Sequence, residues 1–249
     1  MPPTAAPADP RGDPVAGRSA LSGATGRLLA TARQLDAGLL AGPSLCPGWS
    51  RGHVLGHLAR NADALSRLCA WAATGTPSPM YTSAEHRRSE IEASAGQSPD
   101  ELLEDLVRSA EGFATALDNV PEDAWSRRVR LGPSGGGAEI PASRIGWQRL
   151  KEIEIHHVDL DHGYSPVDWP TGFVDRALAQ TLRMFRRRGD TPSLVAQVAG
   201  SEPEPLGAPG GPTVSGTPAA VLAWLTGRSG GGDLTIDPPG PLPVLPAWA

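Results

Sequence analysis

The sequence predicts a mainly α protein, a four-helix bundle followed by a small α+β domain. Two observations carry this. Four long segments in the first two thirds place apolar residues at helical spacing behind recognisable start signals. After about residue 166 the texture changes to short β-like runs between Gly- and Pro-rich loops. Of the 249 residues, 1–16 read as a disordered tail, 17–165 as the bundle and 166–249 as the α+β domain.

The first helix is expected over residues 19–40, with Leu21, Leu28, Leu29, Leu35 and Leu39 as its apolar positions. The second starts at Ser50, a good N-cap after the Pro47-Gly48 turn, and runs to Ala73. A loop and a short helix over 83–95 follow. The third helix opens after Ser98, with Pro99 at its first position and Asp100 and Glu101 in the first turn, and ends near Leu117. Residues 132–137 form a flexible loop, and the fourth helix spans 141–160. In the second domain, a helix over 172–188 precedes a strand over 193–198 and a loop over 200–212. Thr217 then caps a short helix that Pro218 starts and Gly227 ends. Residues 234–236 read as a last strand.

Composition excludes several function classes. Net charge is -5 with a sequence pI of about 5.7, so no nucleic-acid partner is expected. The basic run 186–188 reads as a helix end whose cations complement the helix dipole. No apolar run approaches the ~20 residues needed to span a membrane, and the tail lacks the apolar segment of a signal peptide. A cytoplasmic location is therefore expected, with no membrane partner. The two cysteines, Cys46 and Cys69, show no metal-finger spacing and read as free thiols, one in a loop and one packed in a helix. Lys151 is the only lysine among 22 basic residues, which points to a GC-rich genome.

The chemistry lies on the second and fourth helices. At ~100° per residue, Val54, Leu58, Asn61, Leu65 and Leu68 form one stripe of the second helix. His57 falls about 50° from its centre and His53 about 90°, so His57 points closer to the interior. Asn61, one turn on, is a candidate to support a ligand there. On the fourth helix, Glu152 and His156 are four apart and share a face with Ile145 and Leu160. Burying a carboxylate unpaired is costly, and a metal ion offsets that cost. His57, Glu152 and His156 thus make a two-His, one-carboxylate set on facing helices. Three protein ligands leave one position open, as in catalytic zinc sites; iron(II) uses the same set. Glu154 and His157 form a competing pair on another face. They read as surface positions, with an exchange of roles left open.

Residues 46–63, CPGWSRGHVLGHLARNAD, resemble the mycothiol-dependent maleylpyruvate isomerases, a family with a DinB-like metal-binding bundle. Segments 79–92, 152–160 and 214–228 are similar to that family's inter-helix loop, metal-binding helix and C-terminal domain, in the same order. The resemblance implies a zinc ion held by His57, Glu152 and His156. It also implies functional arginines, matching Arg87, with Arg88 adjacent, and Arg228 after the C-terminal helix. Mycothiol, a cysteinyl pseudo-disaccharide of actinobacteria, is the implied cofactor, with Arg87 and Asn61 as candidate contacts and the region between the domains as its expected seat. The implied substrate is a small dicarboxylate from aromatic (gentisate) degradation. The thiolate would add to the alkene of maleylpyruvate, the single bond would rotate, and elimination would give fumarylpyruvate. Zinc would promote the thiolate or polarise the carbonyl, and the arginines would clamp carboxylates. Two other readings fit the residues: a mycothiol S-transferase for a different electrophile, and a metal-dependent sensor without turnover.

Overall fold

The computed structural model describes residues 14–133 and 136–248. They fall into two compact units, the first ending at Gly163 and the second beginning at Tyr164. The fold is mainly α with a C-terminal α+β part, as the sequence predicts.

The first unit contains α1 (Pro14–Ala32), α2 (Ala37–Ala41), α3 (Arg51–Thr74), α4 (Ala84–Ala95), α5 (Pro99–Asp118) and α6 (Ile145–Asp159). Helices α1, α5, α3 and α6 are neighbours around a ring, which is the bundle, and α4 lies against α3. The expected stripe of α3 is its interior face: Val54, Leu58, Asn61, Leu65 and Leu68 are all buried. Each such apolar side chain contributes about 1.5–3 kcal/mol. Between α3 and α5 the buried Asp105 accepts from Arg60 at 2.6 Å.

Several boundaries follow the expected chemistry. Ser50 caps α3 by accepting from the His53 N–H, and His53 Nδ1 reaches back to the cap, a capping box built on histidine. Ser83 caps α4, and Ser98 caps α5 with Glu101 closing a second box.

Others differ. The single first helix becomes two because the Asp36 carboxylate accepts from Leu39 N at 2.8 Å and starts α2 afresh. Helix α1 begins at Pro14, inside the expected tail; residues 1–13 lie outside the described residues. The fourth helix starts four residues late. Pro141 ends a strand, and a 3-10 turn over Ala142–Arg144 precedes α6. A hairpin went unforeseen: β1 (Arg128–Arg130) pairs antiparallel with β2 (Glu139–Pro141), burying Val129 against Ile140. Three-residue strands carry too little alternation to read.

The second unit holds α7 (Thr171–Arg187), β3 (Leu194–Val198), β4 (Glu204–Leu206), β5 (Thr213–Gly216), α8 (Pro218–Leu225) and β6 (Thr235–Asp237). The sheet order is β4-β3-β5-β6, with β3 and β5 parallel and the other pairs antiparallel. The expected loop 200–212 therefore contains a strand. Its glycines permit close approach: a Cβ on Gly211 would meet Ser193 O at 1.9 Å. Thr217 caps α8 as expected. Gly227, at φ +76°, ends it in a Schellman turn, with Gly227 N donating to Trp224 O and Arg228 N to Ala223 O.

Candidate metal centre

Helix α3 crosses α6 where each carries ionisable residues on its inner face. His57 Nε2 lies 3.0 Å from Glu152 Oε2, and His156 Nε2 lies 3.6 Å from the same oxygen. The two imidazoles meet edge to face at 4.7 Å between centroids. One donor atom from each of the three residues lies within 4.8 Å of the others. Two imidazole nitrogens and a carboxylate oxygen at this spacing fit a divalent ion of the zinc or iron type.

Electrostatics prepare the set for a cation. Burial lowers the His57 pKa to about 4, the Glu152 hydrogen bond opposing it only in part, so the imidazole is neutral at pH 7. Burial pushes Glu152 up, but the hydrogen bond from His57 and the charges of His57, His156 and Lys151 outweigh it. The carboxyl is held well below its usual range. Neutral imidazole and ionised carboxylate are the forms that ligate a metal.

Arg87, on α4, brings Nη2 to 3.1 Å from His57 Nδ1. Its guanidinium also lies over the Tyr81 ring at 5.7 Å. Tyr81 is buried, and its hydroxyl makes no well-formed hydrogen bond. Burial raises its pKa, with Arg87 opposing. Arg88, the neighbouring alternative, is exposed. Trp49 forms a wall, its ring 5.5 Å from that of His57.

The competing residues sort by neighbour. His53 is occupied by the Ser50 cap and by Glu92 at 3.0 Å, away from the set. Glu154 and His157 are not surface residues: each is 1% exposed. They face α1, where Arg27 donates to Glu154 at 2.7 Å and Thr31 Oγ1 lies 2.8 Å from His157 Nε2. Helix α6 thus buries a second ionisable face besides the half-buried one of Glu152 and His156, because α1 supplies polar partners that a one-helix projection cannot reveal. Asn61 turns its side-chain oxygen to Arg149 Nη1 at 3.0 Å, so its recorded partner is a buried arginine one turn before Glu152.

Arg228 belongs to the second unit. Its guanidinium donates to Thr226 O at 2.7 Å and lies over Trp248 at 5.6 Å. Cys69 is fully buried in α3, its thiol pushed up to about 12. Cys46 lies beside His156 and Asp159, neither of which the sequence reading joined to it. The signal was present in the contiguous CPGW segment, but nothing local said that its thiol would meet the end of α6.

Fold and site together define a class: a mainly α bundle with a donor set for one divalent ion on facing helices, joined to an α+β unit. The profile of the mycothiol maleylpyruvate isomerase N-terminal domain matches residues 21–161, and that of the corresponding C-terminal domain matches 168–247. The chain belongs to the mycothiol maleylpyruvate isomerase family. A crystal structure of the mycothiol-dependent maleylpyruvate isomerase superposes with TM-score 0.88 at 29% identity, covering 95% of this chain and 97% of the other. A histidine-to-alanine mutant of that isomerase gives TM-score 0.88 at 28% identity with the same coverage. Comparison with curated protein sequences gives no match.

Proposed function

We propose that this protein is a metal- and mycothiol-dependent isomerase that converts maleylpyruvate to its trans isomer. One observation carries the reading: in a chain of this family, His57, Glu152 and His156 converge with an arginine already seated on one of the imidazoles. When bound, a zinc ion and the thiol together supply a thiolate nucleophile at neutral pH and Lewis-acid polarisation of a carbonyl.

The chain's own residues do the rest. His57 is neutral and Glu152 ionised, so ligation would need no net loss of a proton, only transfer of the His57 ring proton from Nε2 to Nδ1. Were Nε2 of His57 to hold a cation, the ring proton would sit on Nδ1. Arg87 then has no acceptor there and presents its N–H groups to a substrate carboxylate, for which its planar fork is suited. The same positive charge stabilises enolate character developing next to that carboxylate. The Trp49 and Tyr81 rings shield the set from water, which strengthens these interactions. Asn61 holds Arg149 and through it the turn that carries Glu152.

The test follows maleylpyruvate absorbance with zinc-loaded protein, with and without mycothiol, while free thiol is titrated. Conversion that requires mycothiol and leaves its concentration unchanged is the expected result. Thiol loss in step with substrate would make the protein an S-transferase. No reaction would favour a sensor or binding role.

A further inference from the structure

Asp159 closes α6 and is 1% exposed. Its Oδ2 lies 2.8 Å from His156 Nδ1, on the side of the ring away from Glu152. The Cys46 thiol donates to the same oxygen at 3.2 Å. The loop that carries Cys46 is tied to this helix end, since Leu45 N donates to the Asp159 carbonyl at 2.9 Å. Ser44 Oγ accepts from Cys46 N at 3.1 Å and so orients the cysteine.

We propose that Asp159, steadied by Cys46, is a positioning residue that fixes the His156 ring and its tautomer, so that Nε2 offers its lone pair to the donor set. Oδ2 already accepts from the Cys46 thiol, so the ring nitrogen facing that same oxygen carries the proton. A neutral imidazole protonated at Nδ1 is left with its lone pair on Nε2, the atom that shares Glu152 with His57. The carboxylate–histidine pair also raises the basicity of the ligating nitrogen. Cys46 thereby acquires a role that its loop position did not announce: its S–H selects the carboxylate rotamer. The inference rests on the metal reading given above.

Two measurements test it. The first is a long-range 1H–15N spectrum of the full chain, zinc-loaded and chelator-treated, at mildly alkaline pH. His156 should be protonated at Nδ1 in both forms; protonation at Nε2 in the chelator-treated form overturns the proposal. The second is zinc affinity by competition with a chromophoric chelator. Asp159→Asn should weaken binding about 10–100-fold, and Cys46→Ala by less than that. Asp159→Asn binding zinc as tightly as wild type overturns it. So does abolition of binding by Cys46→Ala, since the ion would then sit among Cys46, Asp159 and His156 Nδ1. If Asp159→Asn fails to fold, the wild-type spectrum decides. If wild type binds no zinc, the metal reading fails, and the chelator-treated spectrum still decides the tautomer.

Discussion

Acidifying the chelator-treated protein should destabilise it through His57 before most carboxylates titrate. The unfolded chain takes up a proton at His57 near its ordinary value of 6.5, the folded chain only near about 4. Above pH 6.5 neither state is protonated there, and the contribution is fully present. Between the two values the unfolded state binds more protons, so stability falls as pH falls. The drop from 6.5 to about 4 corresponds to about 3 kcal/mol over the window, at 1.36 kcal/mol per unit. The side chain is 5% exposed, so solvent screens little of this. Glu152, held below its usual range, acts in the same direction at lower pH. The assay is urea unfolding at a series of pH values for wild type and His57→Gln, because the difference removes the titrating groups that do not touch His57. Wild type should lose roughly 1 kcal/mol more per pH unit than the variant across the window. Parallel pH profiles would refute the reasoning, because His57 would then not be held neutral by burial.

Four further predictions separate site from scaffold. Glu152→Gln should lose stoichiometric zinc by atomic absorption while staying folded. Glu154→Gln should keep zinc but cost about 1–3 kcal/mol in urea unfolding, since it removes the charge from the buried acceptor of the part-exposed Arg27. Arg87→Ala should lower kcat/KM for maleylpyruvate roughly 10²-fold, whereas Arg88→Ala, on the exposed side, should change it by no more than about twofold; steady-state kinetics decide. Gly56→Ala would bring a Cβ to 2.6 Å from Ser94 Cβ. It should cost about 1–3 kcal/mol and weaken activity beyond that loss, because α4, which it pushes away, carries Arg87.

The parts of the molecule legible in the sequence were those whose signals are local. Ser50 and Thr217 cap the helices they were expected to cap, and α5 follows Ser98 as expected, because a helix start is decided within three residues. The inner stripe of α3 was legible because its period is regular over about four turns. The short strands β1, β2, β4 and β5 were not, since each is only three or four residues long and exists through pairing partners remote in sequence. The break between α1 and α2 was missed for a related reason: Leu35 and Leu39 continued the apolar count across a turn that Asp36 enforces.

The candidate site divides the same way. Helical projection brought His57, Glu152 and His156 together because each lies on a face that its own helix defines. Projection ranked Glu154 and His157 as surface residues because it treats a helix as having one buried face, whereas α6 lies between α1 and α3. One face of α6 buries a Glu and a His and the other half-buries a similar pair, and only the partner helix distinguishes them. Thr31 and Arg27 neutralise one pair with protein groups. The other pair meets His57 and Arg87, and His156 turns Nδ1 to the Asp159 carboxylate, so that Nε2 of both histidines and Glu152 Oε2 converge. The face that protein side chains leave with converging lone pairs is the face fitted to a cation, and that asymmetry between two similar pairs is what singles out Glu152 and His156.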